Sequence, residues 1–142
     1  MIEKLENNST QFDKLEKIFT EVFTSEKVKY DIENNCFTNY YVYKDNGEIV
    51  AFINYQIMYE RAELININVL ESLQNNGIAS KLMKYMIDDC IKKGVNSITL
   101  EVRIDNLNAI HLYNKFGFIE IGKRVGYYKG IDGILMEKKL IE

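Results

Sequence analysis

The sequence is poor in the residues that carry metal and thiol chemistry. Among its 142 residues it has one histidine, two cysteines, no proline and no tryptophan. The single histidine, His111, together with the widely separated Cys36 and Cys90, supports neither a zinc site nor a Cys-His catalytic pair. Two such cysteines give no disulfide framework either, so we interpret both as packing or surface thiols and expect no metal ion.

Long apolar runs and strong charge are also missing. No apolar run approaches the roughly 18 to 20 residues that span a bilayer. The first residues, MIEKLENNST, lack the basic-then-apolar order of a signal peptide, so we expect a cytoplasmic protein without a membrane partner. A net charge of −3 weakly disfavours nucleic acid, because nucleic-acid-binding domains concentrate lysine and arginine on one face. A basic amine or a peptide is the more natural partner.

The remaining composition is that of an ordinary globular protein, with 46% hydrophobic and 27% charged residues. No internal repeat is visible, and the length suits one hydrophobic core. We therefore expect a single domain over residues 1–142.

Apolar periodicity predicts a strand, two helices, three strands, a helix, a strand, a helix and two strands, which together form a mixed α/β sheet. The first half comprises a possible strand at 2–6, a helix bearing Phe12, Leu15, Ile18, Phe19 and Val22, a helix capped by Thr24 or Ser25 and ending near 33–35, a hairpin within 38–59 turning at Asn46-Gly47, and a strand at Glu63–Leu70. The second half comprises a helix from Gly77 to Gly94, a strand at Ser97–Val102, a helix at Asn108–Phe116 closed by Gly117, and strands at Phe118–Val125 and Ile131–Leu140.

The stretch Leu73–Ser80, LQNNGIAS, joins a strand to a helix. Backbone amides at such a junction lie at the positive end of the new helix and favour an anion such as phosphate. Gly77 would let a ligand approach where a Cβ would intrude, and Ala79 keeps the first turn narrow. The stretch lacks the second glycine and the Gly-Lys-Ser/Thr ending of a P-loop. Taken alone, such a stretch is more often a plain connecting loop.

The segment Leu100–Phe118 places Glu101 on a strand and Tyr113 on the following helix. Each has an ordinary interpretation, Glu101 as a solvated strand carboxylate and Tyr113 as a core residue with a polar tip. His111 lies two residues from Tyr113 and is therefore expected on a different helix face, which argues against a catalytic histidine.

Two motifs in this order carry a family resemblance. Residues 74–79, Gln-Asn-Asn-Gly-Ile-Ala, resemble the Gln/Arg-x-x-Gly-x-Gly/Ala motif of the GNAT superfamily of acetyl-CoA-dependent N-acetyltransferases. Residues 106–118, ordered Asn-x-x-Ala-Ile-x-Leu-Tyr-x-x-x-Gly-Phe, resemble the second hallmark of that superfamily. The likeness covers almost the whole chain and is nearest to the bacterial ribosomal-protein-alanine N-acetyltransferases. It extends to Ser25-Glu26, 64–69, 100–103, Tyr127-Tyr128 and 134–136.

The resemblance implies a mostly antiparallel twisted sheet of about six or seven strands flanked by about four helices. It implies that the turn binds the pyrophosphate of acetyl-CoA, that the preceding strand pairs with the pantetheine arm, and that Asn106 contacts the cofactor. It also implies that Glu101 is the general base and Tyr113 the general acid. The implied cofactor-binding set is Ile67, Asn68, Val69, Gln74, Asn75, Asn76, Gly77, Ile78, Ala79, Ser80 and Asn106.

The same resemblance suggests the acceptor, an N-terminal α-amine and above all the N-terminal alanine of the eighteenth protein of the small ribosomal subunit. Attack of an amine on a thioester needs a base for the amine and a proton for the thiolate, which a carboxylate and a phenol can supply. An α-amine titrates near 7.7 to 8.0 and lysine near 10.4, so removing the proton from an α-amine at neutral pH costs roughly 3 kcal/mol less. A weak base such as Glu101 therefore suits an α-amine better.

Two departures from the group lie on the acceptor side. Phe23-Thr24 stands where a Pro-Trp pair is common, and only 129–133 separate Tyr128 from Ile134, with Asp132 in place of a longer acidic loop. Acetylation of a small-molecule amine or of a lysine side chain therefore stays open. So does a non-enzymatic module that binds and senses acetyl-CoA. The sequence does not indicate an oligomeric state.

Overall fold

The computed structural model describes residues 1–18 and 24–141. Over these residues it has seven strands and four α-helices in the order expected from the sequence. The elements are β1 (Ile2–Lys4), α1 (Ser9–Ile18), α2 (Ser25–Asn34), β2 (Thr38–Asp45), β3 (Glu48–Met58), β4 (Arg61–Val69), α3 (Ile78–Lys92), β5 (Ser97–Arg103), α4 (Leu107–Lys115), β6 (Ile119–Tyr128) and β7 (Ile131–Lys139). A 3₁₀ turn, Glu71–Leu73, follows β4. Three residues named in the sequence analysis, Phe19, Val22 and Phe23, lie outside the described residues.

The strands form one sheet in the order β1-β2-β3-β4-β5-β7-β6. Among the described strands, β4 and β5 are the parallel pair and the other neighbours are antiparallel. Asn46 and Gly47 both have positive φ, 51° and 80°, which confirms the β2–β3 hairpin turn. The mixed, mostly antiparallel sheet with four helices agrees with the fold that the sequence implies.

Each face of the sheet carries its own apolar core. Helices α1 and α2 contribute Phe12, Leu15 and Val28 to the core on one face. Helix α3 contributes Leu82, Met83 and other residues to the larger core on the opposite face. The middle of β3 is buried without alternation, because both of its faces are covered. Among the described residues, no helix has the length and apolar character needed to cross a membrane.

Helix ends fall where short-range signals place them. The Thr24 side chain accepts a hydrogen bond from the Lys27 N–H at 3.2 Å and caps α2. Gly94 and Gly117, with φ of 78° and 89°, follow α3 and α4 in the left-handed conformation. These local devices fix the lengths of the helices that border the site.

The last hairpin differs from the expected boundaries. Strand β6 continues through Tyr127 and Tyr128, beyond the expected end at Val125, and the turn is the pair Lys129-Gly130. Both turn residues have positive φ, 50° and 91°, which a two-residue hairpin turn requires. The periodicity misses the extension because the β6–β7 register is irregular between Arg124 and Tyr128.

The sheet opens between β4 and β5. The two strands pair only over Arg61–Glu63 and Ser97–Thr99, although both continue for several residues. In the β3–β4 register Asn54 faces Asn66 and Tyr55 faces Leu64, so Ile65 is an extra residue in β4. Such a bulge bends its strand. Since pairing stops just before Ile65, we attribute the divergence of β4 from β5 to this bulge.

Candidate active site

A cavity of about 470 Å³ lies beside the diverging part of β4, within the size range of small-molecule sites. Its walls come from β4, the turn before α3 and helix α4. The lining residues are Ile67, Asn68, Val69, Leu73, Gln74, Asn75, Gly77, Ile78, Ala79, Ser80, Asn106, Asn108, Ala109, His111, Leu112, Tyr113 and Lys115. This set contains every residue of the expected cofactor-binding set except Asn76. Segments that are distant in the sequence therefore meet at one site.

The turn before α3 is held by its own side chains. The Gln74 amide donates to the Val69 carbonyl at 3.2 Å, and the Asn76 amide donates to the Leu73 carbonyl at 3.1 Å. Asn76 is not among the residues that line the cavity, because its side-chain amide is directed at the turn, and its contact with the cofactor stays a prediction. Its amide nitrogen is occupied by backbone carbonyls, so we assign Asn76 to shaping the turn.

The start of α3 is suited to an anion. Gly77 is the N-cap with φ 80°, and the first turn of the helix contains no acidic residue. The first intrahelical bond joins the Lys81 N–H to the Gly77 carbonyl, so the N–H groups of Ile78, Ala79 and Ser80 have no partner within the helix. A Cβ on residue 77 would meet no protein atom within 4 Å. A phosphate could approach this backbone closely.

Replacement of Gly77 by valine is expected to weaken acetyl-CoA binding by at least about tenfold, or about 1.4 kcal/mol. The branched side chain would occupy the space over the helix N-terminus, and isothermal titration calorimetry would measure the dissociation constant. The substitution also strains the backbone, because valine rarely adopts positive φ.

Gly94→Val is the matched control for that strain. Gly94 has φ 78° and lies at the other end of the same helix, and a Cβ on residue 94 would likewise meet no protein atom within 4 Å. We expect both variants to lose thermal stability and only Gly77→Val to lose affinity. Equal affinities in the two variants would place the pyrophosphate elsewhere.

Tyr113 lies on α4 with its side chain buried in the wall of the cavity. Burial raises the pKa of its phenol to about 12. The hydroxyl is therefore protonated at any physiological pH and is available as a donor. Its ring packs against Phe118 with centroids 6.1 Å apart, which fixes the direction of the phenol.

Glu101 lies on β5 beyond the segment that pairs with β4. Its side chain is 19% exposed, and Oε2 is 3.5 Å from Nε of Arg124 on β6. Oε1 is buried, and no hydrogen bond of ordinary geometry from the described residues reaches it. Glu101 is not among the residues that line the cavity, so the structure brings Tyr113 to the cavity and places the carboxylate on the neighbouring strand.

Next to this carboxylate, the phenol of Tyr128 has a raised pKa, first because of burial and then because of the Glu101 charge. Asp132 has a structural contact: its Oδ1 accepts a hydrogen bond from the Gly126 N–H at 2.8 Å. That bond stabilises the irregular end of β6. Asp132 therefore supports the hairpin that carries Tyr127 and Tyr128.

Two of the lining residues outside the expected set have titratable side chains, His111 and Lys115. His111 is exposed whereas Tyr113 is buried, as expected for residues on different faces of the helix, and both line the cavity because it borders a broad arc of α4, from Asn108 to Lys115. Lys115 donates to the Ser80 hydroxyl at 3.1 Å, so a cation lies beside the N-terminus of α3. His111 and Lys115 are four residues apart, and this spacing indicates that they lie on the same side of the helix.

Comparison with known proteins is consistent with this geometry. A model of the acetyltransferase (GNAT) family matches residues 8–118. The [ribosomal protein bS18]-alanine N-acetyltransferase of Escherichia coli strain K12 is 40% identical over 88 residues, covering 62% of this chain and 60% of that relative. The corresponding enzyme of Salmonella typhimurium is 33% identical over 109 residues, covering 77% of this chain and 73% of the relative.

The fold agrees as well. The crystal structure of the ribosomal-protein-S18-alanine N-acetyltransferase from Escherichia coli superposes with a TM-score of 0.88 at 29% identity, covering all of this chain and 94% of the other. The sequence match to the relative from strain K12 spans about 60% of its length, whereas the structural match spans nearly all of the solved chain.

Proposed function

The chain belongs to the acetyltransferase (GNAT) family, and we propose that it is an acetyl-CoA-dependent N-acetyltransferase that acts on N-terminal α-amines. One observation carries the proposal: the cavity beside β4 joins the N-terminus of helix α3 to a buried, protonated Tyr113. A phosphate site and a proton donor within one cavity are what transfer from an acyl-CoA requires.

Acetyl-CoA would be held at its pyrophosphate and along its pantetheine arm. The pyrophosphate would lie against the N–H groups of Ile78, Ala79 and Ser80, with the Lys115 ammonium nearby. The pantetheine arm would lie along Ile67–Val69, because none of the described strands pairs with β4 on its β5 side there. An extended amide chain can then form hydrogen bonds with that exposed strand edge.

The reaction transfers acetyl from sulfur to nitrogen: a C–N bond forms, the C–S bond breaks, the amine loses a proton and the sulfur gains one. Glu101 would accept the proton of the amine, directly or through a water molecule, because its carboxylate stays partly exposed, with 19% of the side chain accessible. Tyr113 would donate to the departing sulfur from the cavity wall. Both groups act while acceptor and donor are bound together, so no acetylated enzyme is involved.

An α-amine is the acceptor that such a base favours. Deprotonation of an α-amine at neutral pH is roughly 3 kcal/mol easier than that of lysine. The relatives reported above are named as alanine N-acetyltransferases of ribosomal protein bS18. We propose the same N-terminus as the first substrate to test.

Mass spectrometry of a peptide panel after incubation with acetyl-CoA tests this function. The panel contains the N-terminal sequence of bS18 from the same cell, the same peptide with a blocked N-terminus and a lysine, and a free polyamine. We expect acetylation of the first peptide only. Acetyl groups on lysine or polyamine alone would refute the α-amine acceptor, and cofactor binding without release of thiol from any amine would refute the enzyme.

A further inference from the structure

The surroundings of the Glu101 carboxylate depend on a residue that has no side chain. On the outer part of the sheet, β7 lies between β5 and β6. Gly133 of β7 faces Arg103 of β5 on one side and Arg124 of β6 on the other. Glu101 is paired with Leu135, two residues from Gly133 and on the same face, so its carboxylate crosses β7 diagonally to reach Arg124.

The space for this crossing is available only because residue 133 is glycine. A Cβ built at that position would lie 2.7 Å from Oε1 of Glu101 and 2.9 Å from Cε2 of Tyr128. Real Cβ atoms do not approach other heavy atoms so closely, so both the Glu101 and the Tyr128 side chains would have to move. The φ of Gly133 is not in the left-handed region, which means that the backbone itself does not require glycine here.

We propose that Gly133 is a positioning residue for the transfer reaction, and that its missing side chain lets the Glu101 carboxylate lie over β7 with Oε2 toward Arg124 and Oε1 packed against the glycine. This inference rests on the proposed function, in which Glu101 is the base. A base must present a free lone pair in a fixed place. The ion pair at 3.5 Å holds Oε2, and Oε1 is buried against the glycine, so the carboxylate is kept in one place.

The test is Gly133→Ala, made in the wild type and in Glu101→Gln, with Gly122→Ala as the matched control. Gly122 lies on the adjacent β6, paired with Leu135, and among the described residues a Cβ there would meet only Leu135, with Cδ1 at an ordinary 3.5 Å and Cβ at 4.0 Å. The atoms in the way at residue 133 belong to side chains and not to the backbone, and the nearer one is the end of the flexible Glu101 side chain, so we expect the alanine variant to fold. Thermal melting and the KM for acetyl-CoA report on the fold and the cofactor site.

We expect Gly133→Ala to lower kcat for the bS18 peptide by about tenfold, with the KM for acetyl-CoA unchanged, and Gly122→Ala to leave both unchanged. In the Glu101→Gln background, Gly133→Ala should cause no further loss, because the residue acts through the carboxylate. An equal loss in both backgrounds would assign the effect to Tyr128, and a normal kcat in Gly133→Ala would show that the space is not needed. Either result overturns the inference.

The two proposals fail in different ways. If Glu101→Gln is impaired while Gly133→Ala is normal, the role of Glu101 as base is supported and the positioning role of Gly133 is refuted. If Glu101→Gln itself turns over at the wild-type rate, the base role falls, and the inference about Gly133 falls with it.

Discussion

Glu101→Gln is expected to lower kcat at pH 7 by about 10²- to 10⁴-fold, the usual effect of losing a general base. Glutamine keeps the size of the side chain but cannot accept the proton of the amine. The loss should shrink as the pH rises toward about 9, because an α-amine with a pKa near 8 then loses its proton to solvent without help. Initial rates with the bS18 peptide between pH 6.5 and 9.5 would measure both effects.

Glu63→Gln provides the control for removing a carboxylate from this sheet. Glu63 is an exposed residue of the neighbouring β4, in the segment that pairs with β5 away from the cavity. Its variant should keep the wild-type profile throughout. A Glu101→Gln profile parallel to that of the wild type, with a constant deficit at every pH, would indicate a role in binding and not in proton removal.

Part of this site can be predicted from the sequence because it depends on contacts between residues that are close in the chain. The turn at 74–79 follows a strand and precedes a helix, and its asparagine and glycine residues supply the left-handed positions that the chain adopts at Asn75 and Gly77. Tyr113 is similarly readable, since helical spacing from Asn106 places it on α4 and burial follows from its neighbours. These predictions need only contacts within one or two elements.

The environment of Glu101 cannot be predicted from the sequence in the same way. Arg124 and Gly133 reach it through the register of β5, β7 and β6, and β7 comes after β6 in the chain but lies inside it in the sheet. A one-residue change of register would turn every one of these side chains to the other face. The bulge at Ile65 is a similar case, because an extra residue in a strand leaves the apolar pattern almost unchanged while it opens the sheet.

Tyr113→Phe is expected to lower kcat by tenfold or more and to leave the affinity for acetyl-CoA nearly intact. Phenylalanine keeps the ring against Phe118 and removes only the hydroxyl, so the cavity wall is preserved. Tyr40→Phe is the control, since Tyr40 is also buried but lies in the core on the opposite face and donates to Asp31 at 3.0 Å. That variant should lose stability and keep its rate.

The raised pKa of Tyr113 defines what the hydroxyl can do. A thiol titrates near 8.5, so complete transfer of a proton from a phenol of pKa about 12 to a free thiolate is uphill by about 5 kcal/mol. The phenol therefore acts mainly by donating a hydrogen bond to the sulfur as the C–S bond breaks, and the proton moves late. At pH 10 an ordinary tyrosine is half ionised, whereas a phenol with its pKa near 12 is about 1% ionised. Single-turnover rates should thus show no decline from this group up to pH 10, and a decline that is centred near pH 10 and disappears in Tyr113→Phe would contradict the donor role of a phenol held protonated by burial.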